Sequence, residues 1–323
     1  MKQRPITDTT CYHRKGAGTG FFYRDQKGVK VADEKIVKRL NDLAIPPAYD
    51  NVRYAINPNN YLQAIATDAK GRLQYFYHPK WREFKEQEKF DHLHAVGKRL
   101  PQLRRQVTSI LDKKINSISD VDLDYACAIA ADILDKTYMR IGSAEYATDN
   151  NSYGLSTLRR KHVLVGNDNI SFTFSGKSGV LQQYQLCGIS YASVLRLMAN
   201  QPGYEVLCYS NADKNICDLT SSHINSFIKS NSSGEITAKD FRTWHAGVQA
   251  VRYYNQLSSF EDFKLTDLYD YAAAKLGNTA SVTRDHYIHP QIVEYLKTGK
   301  KLPTARKSKW LSKEEVIVKK LII

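Results

Sequence analysis

The apolar pattern changes once along this chain, close to Trp81. Before that point, from about residue 16 to residue 77, short aromatic and β-branched runs are bounded by turn formers, the signature of strands. Beyond it, apolar residues recur three and four positions apart among many charges, as in helices buried by one face. At 323 residues the chain is long enough for two cores. The expectation is an α+β protein: a small β-rich N-terminal domain over residues 1–88, and a mainly α-helical domain over residues 89–323 that carries a small β-hairpin or sheet and a basic C-terminal tail.

In the first part, Gly16, Gly18 and Gly20 lead into the aromatic run Phe21, Phe22 and Tyr23. The spans 52–56, 62–66 and 73–77 read as strands, the last two separated by the turn formers Asp68 and Gly71. A short helix is expected over residues 33–43, ahead of Ile45, Pro46 and Pro47, and the Lys/Glu-rich residues 80–89 read as a solvated connector. In the second part, Leu123, Ala126, Ile129, Ala130, Ile133 and Leu134 keep helical spacing over residues 121–137 and deliver Arg140 just before Gly142. Further helices are expected over 190–200, 237–257 and 262–276. Runs at 170–174 and 180–184 flank a Ser/Gly-rich tip, which predicts a hairpin with Lys177 on a mobile turn. Ser312 and Glu315 form a capping-box start for a last short helix.

The chain carries 47 Lys plus Arg against 33 Asp plus Glu, a formal charge of +14, which favours a polyanionic partner through counterion release. Five scattered cysteines with no Cys-x-x-Cys pair read as thiols in a reducing compartment rather than as disulfides or a zinc site. Met1 to Pro5 offer no apolar core of a leader, and no segment approaches the roughly 18 apolar residues of a membrane span. A cytoplasmic protein that does not enter membranes is expected.

Single residues carry little alone. The glycines at 16, 18 and 20 follow no hydrophobic strand and precede an aromatic strand rather than a helix, which argues against a phosphate-cradling loop. No Gly-x-x-x-x-Gly-Lys-Ser/Thr occurs, so ATP-driven chemistry is not expected. Arg242 lies early in a predicted helix, where a cation meets the positive end of the dipole and a bound anion would relieve it. Taken alone, an arginine there or at Arg140 is usually a surface residue, and a lysine in a turn is usually just solvated.

Taken in order, the blocks are more specific. Arg140-Ile141-Gly142-Ser143-Ala144-Glu145-Tyr146-Ala147, then Ser152 through Val163, Phe174-Ser175-Gly176-Lys177-Ser178-Gly179, Phe241-Arg242-Thr243-Trp244, Leu276-Gly277-Asn278-Thr279 and His286-Tyr287-Ile288-His289-Pro290 resemble type IB DNA topoisomerases of the poxvirus-like and bacterial kind. Ile45-Pro46-Pro47-Ala48-Tyr49 and residues 71–79 look like that family's DNA-clamping module, so the resemblance runs from about residue 14 to residue 292.

The resemblance implies ATP-independent relaxation of supercoiled DNA: transient single-strand cleavage through a 3′-phosphotyrosyl intermediate, strand rotation and religation. It assigns Tyr287 as nucleophile, Arg140 and Arg242 as stabilisers of the phosphorane, Lys177 as general acid, and Asn278, where viral and eukaryotic relatives carry His, as a neutral hydrogen-bond donor. It carries DNA contacts to Gln74 and Tyr75, near base edges, and to Tyr77 and Tyr146, on phosphate. His245, His286 and His289 are left structural or phosphate-contacting roles. Double-stranded DNA is the implied partner, clamped by a monomer. No cofactor or metal is required, with Mg2+ at most a stimulant of product release. The location is cytoplasmic and nucleoid-associated for a bacterial source, or the virion or host cytoplasm for a viral one. Two alternatives stay open: a tyrosine site-specific recombinase, which shares the Arg, Lys, Arg and Tyr chemistry, and a catalytically silent DNA-binding clamp.

Overall fold

A computed structural model describes residues 6–7, 10–18 and 20–322, so the N-terminal pentapeptide and Thr19 of the glycine-rich entry lie outside the described residues. Two compact units divide the chain, Met1–Lys89 and Phe90–Ile323.

In the first unit, β1 (Cys11–Ala17), β2 (Gly20–Arg24), α1 (Glu34–Asp42), β3 (Asp50–Ala55), β4 (Leu62–Thr67) and β5 (Leu73–Tyr77) follow one another. The strands form one antiparallel sheet in the order β2-β1-β3-β4-β5. Strand alternation sends Tyr23, Val52, Tyr54, Ala64 and Ala66 to one face, where they pack with Leu40 of α1. Cys11, Ala55, Leu62 and Ile65 gather on the other, with Tyr61 and Tyr77 against them. The Asp33 carboxylate caps α1 by accepting from the Lys35 and Ile36 amides, which is why the helix starts there. Arg14 of β1 ties down the proline loop by donating to the carbonyls of Ile45 at 2.9 Å and Pro46 at 3.0 Å.

Residues 80–89 are not a connector: they belong to α2 (Pro79–Leu111), a helix that continues through Pro101. Its early turns carry little apolar periodicity because their polar faces are solvated, and pairs such as Lys85 with Glu88 at 2.5 Å lie one turn apart on it. That charge-rich composition is what made the segment read as a linker.

The second unit continues with α3 (Leu123–Thr137), α4 (Ala144–Asn150), β6 (Val163–Val165), β7 (Asn169–Ser175), β8 (Leu181–Cys187), α5 (Ala192–Ala199), β9 (Cys208–Ser210), β10 (Ile216–Asp218), α6 (Ser221–Asn231), α7 (Ala238–Gln256), α8 (Leu265–Leu276), α9 (Ala280–His286), α10 (Pro290–Lys297) and α11 (Lys313–Leu321). α3 is buried along almost its whole length, as its apolar sequence requires, and α7 is buried from Asp240 to Val251. α7 packs against α3, α6, α8, α10 and α11, so it forms the centre of the unit. The expected hairpin is β7 and β8, paired from Asn169 with Cys187 to Ser175 with Leu181. β6 extends it to three strands, and β9 with β10 makes a separate pair. These three-residue strands are too short for alternation to reveal.

Candidate active site

Three segments converge on one amide side chain. The first follows α3, which ends at Tyr138 in the left-handed conformation (φ 59°). The chain then extends through Arg140, whose carbonyl accepts from the Leu155 amide at 2.9 Å while the Ile141 carbonyl accepts from Ser156 at 2.7 Å. Gly154 allows this close pairing, since a Cβ there would lie 2.6 Å from the Arg140 carbonyl oxygen and 2.5 Å from the Gly142 nitrogen. The backbone is therefore fixed, and the guanidinium reaches Gly277 O at 3.4 Å and Asn278 Oδ1 at 2.5 Å.

The second segment is the first half of α7, whose start is capped by Asp240 Oδ2 accepting from the Thr237 amide at 2.8 Å. Arg242 is 3% exposed there. Its Nη1 donates to the Tyr138 carbonyl, and its Nη2 donates to Leu276 O at 2.8 Å and Asn278 Oδ1 at 2.9 Å. Tyr138 and Leu276 close α3 and α8, so their carbonyls carry the negative ends of two helix dipoles. The compensation that the sequence reading assigned to a bound anion is thus supplied by backbone carbonyls, and among the described residues no carboxylate forms an ion pair with Arg242.

The third segment is the end of α8. Gly277 (φ 60°) terminates it in the left-handed region and turns Asn278 back toward the arginines. Asn278 Oδ1 accepts from both guanidiniums, whereas its Nδ2 is buried with no hydrogen-bond partner. An unpartnered buried donor costs about 1–3 kcal/mol, and here it adjoins two cations.

Tyr287 closes α9, which Thr279 caps by accepting from the Val282 amide at 3.3 Å. The phenol is half-buried, and the Arg242 guanidinium carbon lies 5.4 Å from its ring centroid. Burial pushes the phenol up, but the charge of Arg242 and a hydrogen bond from it, with Arg140 and Lys239, outweigh this and hold Tyr287 below the ordinary tyrosine value. Arg140 is pulled down by burial first and by the Arg242 charge second. Both effects report two like charges held together without an acid between them.

Lys177 is exposed at the tip between β7 and β8, where Ser178 (φ 62°) makes the turn. It lines a cleft of about 1050 Å³ together with Arg140, Asn278, Arg252 and Tyr184, and no Asp or Glu lines it. Arg242 and Tyr287 do not line this cleft. The structure thus joins Arg140, Arg242 and Asn278 by direct contact, sets Tyr287 beside Arg242, and leaves Lys177 across an open space.

Two residues here went unnoticed in the sequence. Gln182 is 5% exposed on β8 and sits directly over Gly277, where an added Cβ would come within 2.0 Å of its Oε1. Tyr184 donates to that Oε1 at 2.9 Å, and burial pushes its phenol up against the opposing pull of Arg242 and Arg140. The available signal was a glutamine at an inward position of a hairpin strand. His245 is 6% exposed and bonded to Asp135, His289 caps α10 by accepting from the Gln291 amide at 3.1 Å, and His286 is exposed.

In the first unit, β5 is an edge strand whose register places Gln74 and Phe76 on one face and Tyr75 and Tyr77 on the other. Gln74 Nε2 donates to Asp68 Oδ2 at 3.0 Å, while the Tyr75 and Tyr77 rings stack with centroids 6.5 Å apart. Gln74 and Tyr75, paired in the sequence reading, therefore leave opposite sides of the strand. Tyr146 is 51% exposed on α4. Among the described residues no group of His, Cys, Asp and Glu is placed to hold a metal ion, and no helix is long and apolar enough to cross a membrane.

Residues 78–315 match the family described as eukaryotic DNA topoisomerase I, catalytic core, and residues 20–68 match the bacterial DNA topoisomerase IB N-terminal domain. The chain is 29% identical over 288 residues to the DNA topoisomerase 1B of Acanthamoeba polyphaga mimivirus, covering 85% of this chain and 84% of that protein. It is 26% identical over 305 residues to the DNA topoisomerase 1B of Vaccinia virus (strain Copenhagen), covering 85% and 89%. With the DNA topoisomerase 1 of Rabbit fibroma virus (strain Kasza) it shares 23% over 245 residues, 72% of this chain and 71% of the other.

Proposed function

Since this chain belongs to the DNA topoisomerase I family, as a type IB enzyme of the poxvirus-like kind, we propose that Tyr287, Arg140, Arg242, Asn278 and Lys177 carry its reaction. The activity is relaxation of supercoiled DNA without ATP, by transient cleavage of one strand, rotation and religation. A recombinase or a silent clamp is not favoured, because a topoisomerase N-terminal module and a topoisomerase catalytic core are matched in one chain.

In the proposed roles, Tyr287 Oη gives its proton to solvent and attacks phosphorus, the bond from phosphorus to the 5′ oxygen breaks, and Lys177 Nζ gives that oxygen its proton. The phosphotyrosyl bond conserves the energy of the one broken, so resealing is the same step reversed. Arg140 and the unpartnered Nε of Arg242 donate to the nonbridging oxygens as charge builds on the phosphorane, and Asn278 Nδ2 supplies a neutral donor to the same oxygens. The observation that carries this reading is the shared amide: two guanidiniums on Asn278 Oδ1, an unpartnered Nδ2, and the Tyr287 ring beside Arg242. A phosphate placed there would satisfy the orphan donor and relieve the two like charges together.

For binding, Gln74, Tyr75, Tyr77 and Tyr146 are proposed DNA contacts, supported by the exposure of Tyr75 and Tyr146 and by the net charge of +14. A monomer on duplex DNA, with Mg2+ unnecessary for cleavage and stimulatory at most for product release, completes the proposal, as does a cytoplasmic or virion setting. The test is Tyr287→Phe in a plasmid relaxation assay with detergent trapping. The variant should bind DNA as the wild type does and form no covalent adduct; relaxation at the wild-type rate would remove Tyr287 from the nucleophile's role.

A further inference from the structure

Behind the catalytic arginines lies a buried charge cluster that the reaction itself does not use. Arg104 of α2 engages all of its donors: Nε and Nη2 reach Asp135 at 2.6 and 2.9 Å, Nη1 and Nη2 reach Glu315 at 3.0 and 2.7 Å, and Nη1 also reaches Trp310 O at 2.5 Å. Glu315, the capping-box residue of α11, additionally accepts from Trp244 Nε1 at 3.0 Å and from the Ser312 amide at 2.7 Å. Asp135 Oδ1 faces His245 Nε2 at 2.9 Å. The His245 ring in turn stacks on Tyr138, with centroids 4.1 Å apart and planes 25° apart. Tyr138 supplies the carbonyl that receives Arg242 Nη1, from a left-handed backbone that a tyrosine rarely adopts.

We infer that Asp135 and His245 are positioning residues for Arg242, and that Arg104 and Glu315 extend this support to the C-terminal helix. The inference rests on the assignment of Arg242 made above. Asp135 orients the imidazole as a carboxylate acceptor orients a histidine, and the ring fixes the Tyr138 side chain at the residue whose left-handed turn aims its carbonyl at the guanidinium. Two carboxylates hold the Arg104 guanidinium, and Arg252 lines the same cavity and bonds the Tyr138 phenol. The cluster reaches Arg242 through the His245 ring stacked on Tyr138 and the Tyr138 carbonyl, not through an ion pair. With Nη1 and Nη2 held this way, the buried Nε of Arg242, which has no partner, is the donor left for phosphate. The cluster ties the segment that begins at Trp310 into the site: Glu315 and the Trp310 carbonyl complete the shell of Arg104.

The test uses the full chain in single-turnover cleavage of a suicide DNA duplex, with His245→Ala, His245→Phe, Glu315→Gln and Arg242→Ala, each checked by thermal melting. His245→Ala should slow cleavage roughly tenfold to a hundredfold at saturating DNA, the range for a displaced catalytic group, while leaving DNA affinity unchanged. His245→Phe, which keeps a ring over Tyr138, should fall between it and the wild type, and Glu315→Gln should slow cleavage less than His245→Ala. In the Arg242→Ala background, His245→Ala should cause no further loss, whereas a general folding defect would multiply through. A methylphosphonate at the scissile position removes the charge that Arg242 serves, and there the gap between His245→Ala and wild type should close. Wild-type cleavage by folded His245→Ala and Glu315→Gln, or a full further loss in the Arg242→Ala background, overturns the inference. Wild-type cleavage by Arg242→Ala would instead overturn the site assignment beneath it, and this inference with it.

Discussion

Replacing Asn278 with Asp should move stability and activity in opposite directions. The change is nearly isosteric and leaves Oδ1 accepting from Arg140 at 2.5 Å and Arg242 at 2.9 Å. Both bonds become charge-assisted, which roughly doubles the strength of each, and the buried Nδ2 without a partner disappears. A net gain of about 1 kcal/mol is expected after desolvation of the carboxylate, or roughly 2–4 °C in melting temperature for a unit of this size. Catalysis loses more. Removing one preorganised donor slows reaction by roughly 10² to 10³, and a carboxylate about 4 Å from a phosphate oxygen adds about 4 kcal/mol of repulsion at an effective dielectric of 20. Single-turnover cleavage should fall by at least about 10³, read as trapped covalent complex against time with DNA saturating. Asn278→His, which retains a donor, should fall far less. Cleavage by Asn278→Asp within about tenfold of wild type would refute the reasoning, since it would mean that Nδ2 does not face the developing charge.

Other outcomes follow from the same geometry. Lys177→Ala should slow cleavage of ordinary DNA by about 10² to 10⁴, but not of a substrate whose 5′ bridging oxygen is replaced by sulfur, which leaves without a proton; equal slowing on both would exclude the general-acid role. Tyr287 lies below its ordinary value of 10.0, so cleavage should rise with pH and level off before that value. Arg242→Ala removes the largest lowering influence and should shift the plateau upward; an unshifted profile would detach the nucleophile from Arg242. Relaxation should persist in chelator, measured as loss of supercoils without added metal, and its complete disappearance would contradict metal-independent cleavage.

The sequence exposed those parts whose determinants are local. α3 was legible because its apolar residues recur at helical spacing, and β7 with β8 because two β-prone runs bracket a Ser/Gly tip. α2 was not, because the polar residues of its first turns resemble those of a solvated linker. At the site the residue types were readable from ordered motifs, but their partnerships were not. Asn278 meets Arg140 across 138 positions and Arg242 across 36, and its Oδ1 contribution has no trace in the motif that suggested a donor. The carbonyls that hold Arg242 are backbone groups of Tyr138 and Leu276, whose side chains say nothing about that duty.

The seating of Gln182 on Gly277 has a consequence for the lifetime of a nick. On the proposed roles, the β7–β8 hairpin that gives a proton to the departing oxygen must also take one back when that oxygen returns, because the two directions share one transition state. A looser seat therefore slows opening and closing in the same ratio. The share of DNA found broken at any instant stays constant, while each break lasts longer and lets the free end turn more times. Gln182 would then act as a timing element: its substitution should change how many supercoils are lost per event, with little change in how often the genome is found interrupted.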